Sequence, residues 1–198
     1  MPDLPSDLVA GTPSVDHIPE MAALARDELP SFSYLHDEER WPNKFGRGER
    51  LEDNLLIAAC DGMDGPLIGF VWADQAMRVD HGIQEPWWCL NAIAVRPEYR
   101  GRGIGKLLVG DIVEAVRAVG VELIYGLAIS GSEGFWQHNG FHVADEGERV
   151  VSTTPVQRDG ANSARLTLPP EKGHRWFLGC PTAPRSATLV PESRVSPH

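Results

Sequence analysis

Three cysteines in 198 residues, none in a Cys-x-x-Cys spacing, provide neither a disulfide framework nor a zinc-type ligand set. Cys60, Cys89 and Cys180 are scattered, which suits a reducing compartment, and the first two lie in apolar runs where a thiol behaves as a small hydrophobe. The chain also lacks any long run of lysine and arginine. With 28 acidic against 18 basic residues its formal net charge is −10, which argues against a nucleic-acid or anionic-membrane surface. That balance fits a cationic substrate better than an anionic one, although surplus acid often serves only solubility. The longest apolar runs, Leu55–Cys60 and Leu67 to Ala73, are too short to span a bilayer. The opening Met1-Pro2-Asp3-Leu4 has no basic and then apolar leader. No internal repeat is evident. The expectation is a soluble, cytoplasmic protein with no metal.

What is present reads as alternating strands and helices. Leu8-Val9-Ala10 is a short strand closed by Gly11-Thr12-Pro13. A helix capped by Asp16, with Pro19 in its tolerant first turn, places Ile18, Met21, Ala22, Ala25 and Leu29 on one face until Pro30. Residues 31–53 read as loop and short helical turns. Asn54–Cys60 and Pro66–Asp74 flank a glycine-rich link and predict a hairpin. After a polar connection over Gln75–Pro86, Trp87–Val95 is a long strand. Ile104, Leu107, Leu108, Ile112, Ala115, Val116 and Val119 then keep a 3.6-residue period, with Gly120 placed as a C-terminal cap. Val121–Ile129 follows as a buried strand, so Trp87 to Ile129 forms a βαβ unit with parallel strands. A short helix over Ser132–Asn139 and a strand from about Phe141 come next. Arg165–Leu168 and His174–Cys180 are later strand candidates, separated from what precedes by a Gly/Asn-rich link at 158–163. The organisation expected is a core over 1–151, its final strands within 152–180, and a flexible tail over 181–198.

The segment Arg100-Gly101-Arg102-Gly103-Ile104-Gly105-Lys106 leads from that long strand into that helix. Glycines admit a phosphate close to the backbone, and the unpaired N–H groups of a helix's first turn favour negative charge. Arg100, Arg102 and Lys106 add positive charge. A P-loop ending at Gly105-Lys106 needs glycine at 100 and a hydroxyl residue at 107, where arginine and leucine stand. A dinucleotide GxGxxG from Gly101 needs glycine at 106, which is lysine. What survives is Arg-x-x-Gly-x-Gly.

With "LNAIAVRPEYRGRGIGKLLV", then "VELIYGLAI", then "FWQHNGF" in that order, Leu90–Phe141 resembles the GCN5-related N-acetyltransferase superfamily. The resemblance implies an α/β (α+β) acyl-CoA N-acyltransferase fold: a mixed, mostly antiparallel sheet with a splayed parallel strand pair and flanking helices. It implies an N-acetyltransferase using acetyl-CoA as co-substrate, with direct attack by a primary amine in a ternary complex. The amides of Arg102–Lys106 would hold the pyrophosphate, with Arg100 opening the loop, and Ile93-Ala94-Val95 would run beside the pantetheine arm. A backbone N–H of Ile93 or Ala94 near a strand bulge would meet the oxyanion.

The family's tyrosine acid, in a Phe-Tyr-x-x-x-Gly-Phe pattern, falls on Trp136, whose indole is no useful acid. Three readings stay open: the thiolate leaves unaided, Ser130, Ser132 or His138 stands in, or catalysis is weak. The usual asparagine after the preceding strand is also absent. For the base, Glu85, Asp80 and His81 lie in the connection before the long strand, and Asn91 can line the substrate cleft without taking a proton. A covalent route through Cys89 has no partner histidine placed by motif. Of Trp87 and Trp88 at least one should be core, the other walling the acceptor site. The alternative to an enzyme is an acyl-CoA-binding regulatory module. Acceptors in view are small-molecule amines and protein N-terminal or lysine amines. A toxin acting on charged tRNA fits the acidity poorly, and a homodimer exchanging late strands is open.

Overall fold

The computed structural model describes residues 7–42, 54–63, 65–77, 82–159, 161–185 and 187–195. Asp80 and His81, and most of the loop expected up to Asp53, lie outside them. The chain divides into two compact units, residues 1–74 with 90–112, and residues 75–89 with 113–198. No described helix is long and apolar enough to cross a membrane.

In the first unit β1 (Leu8–Gly11), β2 (Asn54–Asp61) and β3 (Leu67–Asp74) form an antiparallel run, and β4 (Trp87–Val95) follows β3. The β2–β3 hairpin is closed by the Asp61 N–H on the Pro66 carbonyl. Helix α1 (Ile18–Glu28) buries Ile18, Met21, Ala22, Leu24 and Ala25, so the face read from periodicity is the packed one. The expected cap is displaced. Ser14 caps a short 3-10 turn, Val15–His17, by accepting from the Asp16 N–H, and α1 begins after His17 with Pro19 in its first turn. That helix packs with Leu56, Ala58, Cys60, Leu67, Phe70, Trp72, Ala92 and Ala94 in one apolar cluster. Trp41 completes it, fully buried, edge-on to Phe70 at 5.1 Å and donating its indole N–H to the Leu35 carbonyl at 2.9 Å.

Helix α2 (Ile104–Ala118) buries Ile104, Leu108, Ile112 and Val116 as its period predicts. Val119 departs from that prediction and is 70% exposed. It lies past the last helical residue, in the turn that Gly120 completes at φ +82°, so helical phase no longer sets its direction.

In the second unit Trp87–Cys89 of β4 pair in parallel with Leu123–Tyr125 of β5 (Leu123–Ile129), as a βαβ crossover requires. Beside β5 runs antiparallel β11 (His174–Gly179), and antiparallel to β11 runs β6 (His142–Val143). A short helix α3 (Glu133–His138) precedes β6. The remaining strands are β7 (Val150–Ser152), β8 (Val156–Arg158), β9 (Ala161–Ala164), β10 (Thr167–Leu168) and β12 (Leu189–Pro191). They form a three-stranded sheet in the order β10-β7-β12 and the hairpin β8–β9. The link read at 158–163 is thus a hairpin whose second strand starts inside it.

The expected flexible tail is corrected here. Leu189–Pro191 pair with β7, and Ala187 and Leu189 are buried. Trp87 donates its indole N–H to the Ala187 carbonyl at 3.0 Å, the Thr182 hydroxyl reaches the Val121 carbonyl, and the Arg185 amide reaches the buried Glu122 carboxylate. Low apolar content concealed a segment that satisfies buried polar groups, which composition does not register. The late strands find their partners within the chain.

Candidate active site

Strand β4 sets the first part of the site by alternation. Leu90, Ala92 and Ala94 are buried, Ala92 and Ala94 in the α1 cluster, while Asn91, Ile93 and Val95 are half-buried on the other face. Pro97–Tyr99 then form a 3-10 turn, and Arg100 is extended. Gly101 and Gly103 follow at φ +75° and +88°, a region that side chains strain to enter. A Cβ built on Gly101 or Gly103 meets no protein atom within 4 Å, so the space beside this backbone is open.

Ile104, almost fully buried, anchors the start of α2, and the Leu107 N–H reaches the Gly103 carbonyl at 3.0 Å. The amides of Ile104, Gly105 and Lys106 precede that bond and have no acceptor within the helix. Lys106 is exposed, and the Arg102 guanidinium sits 5.4 Å from the centre of the Tyr99 ring. These features fit a diphosphate: open backbone N–H groups, a helix dipole and no side chain in the way.

Arg100 does something the sequence did not foretell. Its guanidinium is turned to the Glu28 carboxylate at the end of α1 and, through Nε at 3.0 Å, to the Val95 carbonyl. Four residues earlier Arg96 likewise reaches α1, through Glu20 at 3.2 Å, and donates to the Leu67 carbonyl. Glu20 also accepts from the Leu67 N–H at 2.9 Å. No sequence signal marks Glu20 or Glu28, because each is merely a polar position on an amphipathic helix far from its partner.

The other candidates lie in the second unit. Glu85 is half-buried just before β4. Ser130 is exposed, and Ser132 donates its hydroxyl to the Ile129 carbonyl at 2.8 Å. His138 is exposed, with Nδ1 2.8 Å from the Gly134 carbonyl one turn back. Trp136 is buried and stacked on Phe177 of β11, centroids 3.8 Å apart and planes within 10°, with Phe135 and Phe141 edge-on. It is an aromatic core residue. Trp87 and Trp88 are both buried, against the expectation that one would wall an acceptor site; the Trp87 indole N–H is spent on Ala187. Cys89 is half-buried, Cys60 buried and Cys180 exposed, all three as free thiols. Burial, and then the charge of Glu20, push the Cys60 thiol up.

Comparison with known proteins agrees with this architecture. Residues 21–141 match the Acetyltransferase (GNAT) family. No curated protein matches the sequence. Among solved structures, the PaiA N-acetyltransferase of Thermoplasma acidophilum in complex with coenzyme A superposes with a TM-score of 0.61 at 18% identity, covering 88% of this chain and 99% of that one. Arabidopsis thaliana NAA60 in complex with a bisubstrate analogue gives 0.58 at 19% identity, over 87% and 97%. The ribosomal-protein-S18-alanine N-acetyltransferase of Escherichia coli gives 0.55 at 14%, over 89% and 96%. At such identities the likeness is one of fold, whereas the family match spans more than half of the chain. The chain belongs to the acetyltransferase (GNAT) family and is an N-acetyltransferase that uses acetyl-coenzyme A.

Proposed function

We propose that the chain transfers acetyl to a primary amine by direct attack in a ternary complex. The amides of Arg102–Lys106 hold the coenzyme pyrophosphate, and Ile93-Ala94-Val95 lie along the pantetheine arm. The observation that carries this reading is the pair Gly101 and Gly103 at positive φ, opening a fifteen-residue helix over open space. When bound, the coenzyme supplies an activated thioester. The chain fixes the phosphates, lays the half-buried Ile93 and Val95 side chains along an apolar arm, and offers a β4 amide at Ile93 or Ala94 to the developing oxyanion. Asn91, on that same half-exposed face, orients the acceptor.

Proton handling follows from what α3 withholds. Trp136 is packed into the core, the Ser132 hydroxyl is donated to a carbonyl, and His138 is tied at Nδ1 to its own helix. In this reading the thiolate leaves unaided, with Nε2 of the exposed His138 as the alternative donor. Glu85 receives the amine's proton directly or through water. The net charge of −10 favours a cationic small amine over an anionic one. Three free cysteines without a paired spacing suit the cytoplasm.

The test is thiol release from acetyl-CoA against a panel of diamines, amino acids, N-terminal peptides and lysine peptides. Turnover with an amine, highest for a cationic small amine, is expected. Coenzyme A binding without turnover on any amine leaves the binding-module alternative standing instead.

A further inference from the structure

The loop that receives the coenzyme in this reading is made flexible by its glycines, so something must hold it in shape. The structure gives Arg100 three ties. Its N–H donates to the Pro97 carbonyl at 3.2 Å, its Nε to the Val95 carbonyl at 3.0 Å, and its Nη2 to Glu28. The first two are local, to the turn and to the end of β4 just before it. Glu28 ties the loop entrance to a separate element, the last turn of α1. The Glu28 side chain is 19% exposed, whereas Arg100 is 52% exposed, so the carboxylate is the fixed end and the guanidinium the end that would otherwise wander.

We propose, resting on the assignment of the Arg100–Lys106 loop to coenzyme A, that Glu28 is a positioning residue for that loop. It holds the Arg100 guanidinium on α1 and on the Val95 carbonyl, out of the cradle, so the amides of Arg102–Lys106 are presented before the ligand arrives. Affinity then comes from preorganised backbone donors, and the Arg100 charge is spent on geometry. Glu20 is the built-in contrast. It stands eight residues earlier on α1, about 12 Å along the axis, and its carboxylate is shared between Arg96 and the β3 amide of Leu67. That bond joins α1 to the sheet, ahead of the turn, and serves stability.

The test titrates the full chain and its Glu28→Gln, Glu28→Asp, Glu20→Gln and Gly103→Val variants with coenzyme A by calorimetry, with Tm and steady-state kinetics on each. For Glu28→Gln, Kd for coenzyme A and KM for acetyl-CoA should rise together about fivefold, the size of one lost ordering contact. Its kcat and Tm should hold, and Glu28→Asp should recover part of the affinity. Glu20→Gln should lower Tm and leave Kd unchanged. An unchanged or lower Kd for Glu28→Gln, or a fall in its Tm without a change in Kd, overturns the role given to Glu28. The loop assignment survives that outcome provided that Gly103→Val has lost coenzyme A. Wild-type affinity in Gly103→Val overturns both.

Discussion

Two strand-to-helix turns in this chain can be set side by side, the one from β4 into α2 and the one from β5 into α3. In the second, Gly131 also sits at positive φ, at +88°. Its N–H, however, is taken by the Glu133 carboxylate at 2.8 Å, the Ser132 hydroxyl is taken by Ile129, and the six-residue helix is pinned by Trp136 stacked in an aromatic core. That turn closes on itself. In the first, the long side chains Arg96 and Arg100 are drawn back to α1, and the amides at the head of α2 have no acceptor within the helix. Glycine in a strand-to-helix turn is thus not itself a ligand signal; what matters is whether local side chains consume the amides it exposes.

The largest effect is expected where the closed turn is broken. Trp136→Ala removes a buried, stacked ring and should cost about 3–5 kcal/mol, a Tm fall of about ten degrees for a chain of this length. Scanning calorimetry checks it, and coenzyme A affinity measured below the transition should stay near wild type. Trp136→Tyr sharpens the same point. If position 136 is core, a phenol there gains no catalytic role and kcat should stay within about twofold. A tenfold gain in thiol release would instead make this turn part of the chemistry.

Next comes the open turn. Gly103→Val places a β-branched side chain at φ +88° and fills the space beside the cradle. Backbone strain of about 1–3 kcal/mol and lost approach to the amides should weaken coenzyme A binding on the order of a hundredfold. The Tm change should be smaller than for Trp136→Ala, because a Cβ there meets no protein atom. If Gly103→Val cost stability and spared affinity, the contrast between the turns would collapse.

The same contrast explains what was legible in the sequence. The proposed cradle works through main-chain atoms, and glycine spacing reports main-chain conformation directly, so Gly101 and Gly103 were readable, as were β4, α2 and the β2–β3 hairpin from their periods. Ion pairs between elements leave no local trace. Nothing adjacent to Glu28 announces Arg100, and nothing adjacent to Trp136 announces Phe177. Those meet only once β5, β11 and α3 are placed. Likewise Leu189 reads as a lone apolar residue among prolines until β7 is there to pair with it. The expected acid at 136 was a motif position, and its replacement by a large aromatic was visible; that the indole would be buried rather than face solvent was a packing fact.

The smallest effect tests how firmly the closed-turn side of the molecule is held at its C-terminal end. The 3-10 turn Glu192–Arg194 is fastened to β6 and the segment after it by Arg194 on His142 Nδ1 at 3.2 Å, by the Ser193 hydroxyl and amide on Glu148, and by Arg149 on Glu192 at 2.8 Å. Burial, and then the Arg194 charge, push the His142 imidazole down, with Glu148 and Asp145 pulling partly the other way. Burial of Glu148 is outweighed by its bonds to Ser193 and Asp145, which hold its carboxyl low. A histidine whose pKa is lower in the folded state binds fewer protons there than in the unfolded chain. Its contribution is therefore intact above the unfolded value near 6.5 and is lost as pH falls through 6.5 toward the depressed folded value. The Glu148 contribution is intact above its ordinary 4.5 and fades only below it. Tm followed from pH 7.5 to 5.5 should thus decline through His142 alone at this clasp. His142→Asn should flatten that part of the slope while leaving the Tm difference between wild type and Trp136→Ala in place, since the indole's stack on Phe177 carries no titrating group.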